Sequence, residues 1–275
     1  MKYIPKAITE NVNVTKVNHL QEFFVLISGI LGSFVIIYLV LGFTLDKVIE
    51  NMPARLERTF SNLFSQAYGF KKTLPIQEQA AQNLLNQLVE RISPKDTVNY
   101  TVHIVKESAV NAVALPGGNI VLFSGLMEQV KSENELSMVL AHELGHFAHR
   151  DHLRGLGRGA VLVFLSSLFL GMDNSLMNFL TNILVTADLK HSREQEMRAD
   201  QFALDLVHER YGHVGGAIDF FERLREKEKL SHFLAFFATH PHQGDRVHLL
   251  NQRIKNKGYT VRETIAFHFV EEEKI

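Results

Sequence analysis

Ser132-Glu133-Asn134-Glu135-Leu136-Ser137-Met138-Val139-Leu140-Ala141-His142-Glu143-Leu144-Gly145-His146-Phe147-Ala148-His149-Arg150-Asp151-His152 is the most informative run of this chain. Ser132 and Glu135 have the S-x-x-E form of a capping box, in which each side chain satisfies an exposed amide at a helix start. Leu136, Val139, Leu140, Leu144 and Phe147 then supply an apolar stripe at helical spacing. On such a helix His142 and His146 are one turn apart on the same face, so both imidazoles can reach a single metal ion. Glu143 projects beside that clamp and can act as a base toward a water held there rather than as a ligand.

A clamp of two histidines needs a third donor, and the residues offer two. Ser192 to Asp200 opens a helix with an S-x-x-Q cap, and Glu196 and Asp200 share a face of it, with Ala199 keeping that face narrow for close packing. This pair suits a carboxylate ligand and a partner that accepts a hydrogen bond from a ligand histidine. The competitor is His152, ten residues after His142, the position used in H-E-x-x-H-x-x-G-x-x-H sites. Those sites turn sharply at a glycine seven residues after the first histidine; here that position is His149, and the first glycine is Gly155. The helix is therefore expected to continue through His149 and to carry His152 away from His146.

Composition sets the outer limits. The 275 residues are 46% hydrophobic and 21% charged, an ordinary globular balance that accommodates one large domain with appendages. A net charge of -1 argues against nucleic acid as a partner, which requires a concentrated basic surface. With no cysteine there is no disulfide, no thiolate ligand and no cysteine nucleophile.

Phe23 to Leu45 runs without a charge between Glu22 and Asp46, long enough to cross a hydrocarbon core of about 30 Å as a helix. The expected layout is a tail over 1–22, a transmembrane helix over 23–45, a juxtamembrane linker over 46–74 and a metal-binding domain over 75–275. Lys16 on one side of the span stands against Lys47, Arg55 and Arg58 on the other, which leans the C-terminal bulk toward the cytoplasm, while Lys2 and Lys6 pull the opposite way. Ile76 to Ile92 has helical spacing, Thr101 to Val105 alternates like a strand around a structural His103, and Asn111 to Leu126 reads as two strands about a Pro-Gly-Gly turn. That hairpin is placed to set an edge strand, beginning at Asn111 and Ala112, beside the metal, where an extended peptide would pair with its backbone. Ala160 to Met172 and Leu176 to Ala187, split by Asp173-Asn174, are each too short to span a bilayer. They read as a helical hairpin covering the active site or dipping into the membrane at 160–187. A helix is expected over Arg246 to Ile254 and a strand within Gly258 to Val270.

Four elements thus stand in order: N-A-V-A-L-P-G-G at Asn111 to Gly118, H-E-L-G-H at His142 to His146, S-R-x-x-E-x-x-A-D at Ser192 to Asp200, and H-P-x-x-x-x-R at His240 to Arg246. Together they resemble the HtpX-like zinc metallopeptidases, the family that includes the CAAX prenyl endopeptidases and the OMA-type quality-control proteases, over roughly residues 75 to 254. The resemblance implies one zinc ion per chain held by His142, His146 and Glu196, with Glu143 as general base and acid. It further implies that Asp200 orients a ligand histidine and that His240 stabilises the tetrahedral intermediate. The hydrophobic segments after the zinc helix are shorter than in HtpX-like members, which brings the chain closer to single-anchor members and away from a prenyl-cysteine substrate.

The expectation is a mainly helical α+β, zincin-like protease domain with a small sheet, anchored by one N-terminal membrane helix. Its partners would be membrane lipid and peptide or protein substrates, misfolded membrane proteins among them. A non-proteolytic zinc scaffold and a zinc hydrolase of a non-peptide bond are the rival classes; a structural zinc has no use for Glu143.

Overall fold

In the computed structural model, residues 18–53, 76–92, 100–170, 191–226, 236, 239–240 and 243–266 are described. The apolar run is the middle of a longer helix, α1 (His19–Glu50), whose N-terminal amides of Leu20 and Gln21 donate to Asn18 Oδ1. At 32 residues, α1 is about 48 Å long and outreaches the hydrocarbon core. Among the described residues it is the one helix long and apolar enough to cross a membrane. Most of its apolar side chains are exposed, but Phe34, Tyr38, Leu41, Gly42, Leu45, Asp46 and Ile49 form a covered stripe along one face.

The covering element is found far along the chain. Helix α2 (Ile76–Ile92) is followed by strands β1 (Thr101–Val105), β2 (Ala112–Leu115) and β3 (Asn119–Phe123), in the sheet order β1-β3-β2. β1 pairs parallel with β3, and β2 is the antiparallel edge strand, joined to β3 through Pro116-Gly117-Gly118. Gly117 and Gly118 sit at φ 83° and 81°, a left-handed conformation that glycine adopts freely, which gives the expected hairpin. His103 is buried and bonded to Asn119, in the structural role expected of it.

After the single turn α3 (Ser124–Met127) comes α4 (Glu133–Ala148), the histidine helix. Ser132 Oγ accepts from the Glu135 amide at 3.1 Å as expected. The expected return bond differs: the Glu135 carboxylate accepts from the Lys131 amide and is chelated by Arg223 at 2.7 and 2.6 Å.

The expected continuation of this helix past His149 does not occur. Arg150 takes φ 56°, the only described non-glycine residue with a positive φ, and α5 (Asp151–Leu170) restarts in a new direction. As α5 advances, its partners on α1 recede: Arg150 binds the carbonyls of Ile49 and Met52, Gly157 meets Leu45, and Arg158 pairs with Asp46. The two helices are therefore antiparallel, and α5 is what covers the α1 stripe. Ala160 to Leu170, from the first segment of the expected hairpin, is the second half of α5, a helix that packs along α1. The segment Leu176 to Ala187 lies outside the described residues, as do 1–17 of the expected tail and 54–74 of the expected linker.

Helix α6 (Arg193–Tyr211) starts with a complete Ser192–Gln195 capping box, ends at Gly212 in the left-handed region, and packs along α4. α7 (Asp219–Glu226) and α8 (Gln243–Lys257) close the core around Leu85, Leu88, Ile120, Leu136, Leu140, Val207, Phe220 and Phe221. Among the described residues of the expected C-terminal strand there is one bridge, Ser132 with Ala266, where the segment lies against the start of α4; 267–270 lie outside the described residues. The result is mainly helical with a small three-stranded sheet, as the sequence implied.

Candidate metal centre

Helices α4, α6 and the turn before α8 each bring polar groups into the protein interior at one point. His142, Glu143 and His146 come from α4, Glu196 and Asp200 from α6, and His240 from the chain ahead of α8; all are buried. Burying so many polar groups is costly unless each finds a partner, and the pairing is specific. His142 Nδ1 lies 2.9 Å from Asp200 Oδ1, and His146 Nδ1 lies 3.1 Å from Asp151 Oδ2. Each imidazole thus has a carboxylate accepting at Nδ1, which turns both Nε2 atoms toward one point. These two nitrogens face each other at 3.1 Å.

Two ring nitrogens at that distance can share one cation, a proton in the metal-free chain or a metal ion in its place, and the other donors are placed for a metal. Glu196 Oε1 is 3.4 Å from His146 Nε2, and Glu196 Oε2 is 3.6 Å from His142 Nε2. His240 Nδ1 is 3.3 Å from His142 Nε2 and 3.1 Å from Glu196 Oε1. Ligands at zinc bond lengths in a tetrahedron stand roughly 3.3 to 3.4 Å apart, so the set has the spacing of a tetrahedral site. Among the described residues Glu143 Oε2 is buried without a hydrogen bond, which also fits an oxygen that faces the water of a bound metal. The residues fit a zinc ion.

Charge is balanced by Arg246 on α8. Its guanidinium makes a bidentate pair with Asp200 at 2.7 and 2.6 Å and approaches Glu196 Oε2 to 2.7 Å. Burial alone would raise both carboxyls; Arg246 overcomes it and holds Asp200 below, and Glu196 well below, the ordinary carboxylate range. Burial likewise lowers His142, against the pull of Asp200. On His146 burial is outweighed by Asp151 and Glu196, which raise its pKa to about 10 in the metal-free chain. His191 stacks on the His146 ring at 3.8 Å between centroids, and burial lowers it well below the usual histidine range, so a neutral ring fixes the plane of the ligand.

With one exception, the residues read from the sequence as metal-site candidates converge here. His152 does not: it is buried against Phe147, outside the donor cluster, although the helix breaks before it. His240 stands among the donors, and its Nε2 faces the Ala112 carbonyl at 3.4 Å and Glu143 Oε1 at 3.7 Å. The edge strand β2 thus adjoins the site, with Asn111 Oδ1 accepting from Thr239.

Asp151, Gln195, His191 and Arg246 were missed or given no role. Arg246 was visible in the H-P-x-x-x-x-R motif, but an arginine in a helix gives no sign of a buried carboxylate partner. Asp151 was hidden because the turn that aims it at His146 is made at an arginine, where a glycine would have marked it.

Comparison with known proteins agrees with the site. Residues 75–254 match the model of peptidase family M48. The chain is 30% identical to the metalloprotease LoiP of Escherichia coli over 212 residues, covering 73% of this chain and 81% of that one. It is 28% identical to the mitochondrial metalloendopeptidase OMA1 of Schizosaccharomyces pombe over 165 residues, covering 58% of this chain and 48% of the relative. The metalloprotease YcaL of Escherichia coli is 29% identical over 164 residues, 57% of this chain and 62% of the relative. The chain spans about half the length of the fission yeast protein.

Proposed function

Because this chain belongs to peptidase family M48, we propose that it is a membrane-anchored, zinc-dependent metalloendopeptidase that hydrolyses peptide bonds. The observation that carries the reading is the pair of imidazole nitrogens facing each other at 3.1 Å inside a buried cluster of four donors, His142, His146, Glu196 and His240. His142, His146 and Glu196 are assigned as the zinc ligands. A zinc ion held by them would supply Lewis-acid chemistry, polarising a peptide carbonyl and lowering the pKa of a water toward neutrality.

Glu143 would accept the proton of the attacking water and return it to the leaving amine, a role supported by its buried, unbonded Oε2 beside the donor set. Asp200 keeps His142 in the tautomer that presents Nε2. His240 supplies a fourth donor in the conformation described; we assign it, once displaced by substrate, to the oxyanion that develops on the carbonyl. Its departure frees the Ala112 carbonyl, and Asn111 and Ala112 at the edge strand then pair with an extended peptide.

Residues 75–275 form the peptidase domain, 23–45 the bilayer-spanning part of α1, and 46–74 the link between them. The second half of α5 lies beside the span and enters the bilayer with it. A site so close to the membrane suits misfolded membrane proteins as substrates, and the charges flanking the span favour a cytoplasmic catalytic domain. Proteomics of newly formed peptide termini in cells carrying the wild-type or the Glu143→Gln chain tests the reading. Termini that depend on Glu143, drawn from membrane proteins, are expected; identical sets from both chains would discard it.

A further inference from the structure

The break between α4 and α5 is made by Arg150 at φ 56°, a backbone conformation that glycine adopts freely and other residues adopt only at a cost in free energy. The arginine side chain shows what offsets that cost. Arg150 Nη1 donates to the carbonyls of Ile49 at 2.5 Å and Met52 at 2.7 Å, where α1 ends. The last carbonyls of a helix have no partner within it and carry the negative end of its dipole, so a guanidinium is well suited to cap them. One residue therefore turns the chain out of the histidine helix and holds the inner end of the membrane helix.

The next residue reaches the site. Asp151, 1% exposed, accepts from His146 Nδ1 at 3.1 Å, and its other oxygen accepts from Gln195 Nε2 at 2.9 Å. Gln195 is also the N3 residue of the α6 capping box, so Asp151 ties His146 to the start of the helix that carries Glu196. The direction of the Asp151 side chain depends on the turn at Arg150, and that turn depends on where α1 ends. Further along, Asp46 and Arg158 fasten the same two helices at 2.5 Å, so the seat of α1 is fixed at two levels.

We propose that Arg150 and Asp151 are a coupled pair of positioning residues that make the aim of His146, and hence the affinity for metal, depend on the seating of the membrane helix on α5. The proposal rests on the assignment of His146 as a zinc ligand. Loss of an outer partner of a ligand histidine typically weakens metal binding by about 10- to 100-fold. A change at Arg150, which touches neither metal nor ligand, acts through the turn alone.

The test uses the full chain in detergent micelles, with zinc affinity read by chelator competition and ligand geometry by the visible spectrum of the cobalt-substituted protein. Asp151→Ala is expected to weaken zinc by about 10- to 100-fold, and Asp151→Asn by less, because the amide oxygen still accepts from Nδ1. Arg150→Gly keeps the left-handed turn available and removes the clamp; a zinc affinity reduced several-fold with a shifted cobalt spectrum is expected. Wild-type affinity and an unchanged spectrum in Arg150→Gly overturn the coupling, as does wild-type affinity in Asp151→Ala. Should circular dichroism show Arg150→Gly to be unfolded, Arg158→Gln loosens the same helix pair from a distance; a smaller loss of zinc affinity supports the pair, and none overturns it. A wild-type chain that takes up no zinc, or a His142→Ala chain that binds it normally, instead removes the metal centre on which the proposal stands.

Discussion

Gly145 faces Ala199 where α4 crosses α6, and a Cβ built on Gly145 would lie 2.8 Å from Ala199 Cα and 3.0 Å from its carbonyl oxygen. These are backbone atoms that cannot swing aside. The glycine inside H-E-L-G-H and the alanine inside E-x-x-A-D thus set the distance at which Glu196 meets the two histidines. Gly145→Ala is expected to force the helices apart, costing about 1–3 kcal/mol as other overpacked cores do, and to lower zinc content as well as stability. Zinc stoichiometry beside a thermal melt checks this; a variant with full zinc and an unchanged melt would mean that the contact carries no constraint.

Glu143→Gln removes the base and leaves the donor set intact. Zinc binding is expected to persist while peptide cleavage falls by about 10²- to 10⁴-fold, the range for a general acid–base group. Metal analysis and turnover on one preparation decide it, and cleavage at the wild-type rate would remove Glu143 from the mechanism.

Arg246→Gln strands the carboxylates of Asp200 and Glu196 in the interior without their cation. Breaking a buried pair in this way costs about 3–5 kcal/mol, and bound zinc should restore part of it by supplying positive charge. Denaturant melts of the metal-free and zinc-loaded variant test both statements. A Lys at 246 should rescue poorly, since a point charge cannot reproduce the bidentate pair with Asp200.

The metal-free chain holds a proton on His146 up to a pKa of about 10. Zinc must displace it, so apparent affinity should improve about tenfold per pH unit from roughly pH 7 to 9, with one proton released per ion bound. The folded value lies above the unfolded one, so its contribution to metal-free stability is complete below the ordinary histidine pKa and is lost as pH rises toward about 10. Calorimetry in buffers of different ionisation enthalpy counts the protons; a pH-independent affinity would contradict the paired environment of His146.

The chain has no cysteine, so single cysteines report on the membrane directly. Cysteines at Ile36 on α1 and Val161 on α5 are expected to resist a membrane-impermeant maleimide until detergent is added, and the chain should stay with membranes through alkaline carbonate. Labelling of Val161→Cys in intact membranes would take the second half of α5 out of the bilayer. Release by carbonate would do the same for α1.

The residues that bear on chemistry were legible because their signal is local. The spacing of His142 and His146, the caps at Ser132 and Ser192, the uncharged run after Glu22 and the Pro116-Gly117-Gly118 turn each follow from helical period, amide satisfaction, solvent or allowed φ, within a few residues of chain. The partners of those residues were not legible. Asp151 reaches His146 through a left-handed Arg150, Glu135 turns to Arg223 in place of completing its box, and Arg246 closes on Asp200 across 46 positions.

By itself, then, the sequence determined a mainly helical metallopeptidase chain with one helix long and apolar enough to cross a membrane, and named His142, Glu143, His146, Glu196, Asp200 and His240 as candidates. The tertiary structure decided what lies between elements: that Glu196 and not His152 meets the histidines, that His240 stands among the donors, and that α5 lies along α1. Periodicity fixes which face of a helix is apolar, whereas the partner of that face depends on how helices distant in the chain pack, and a side chain's type does not record this.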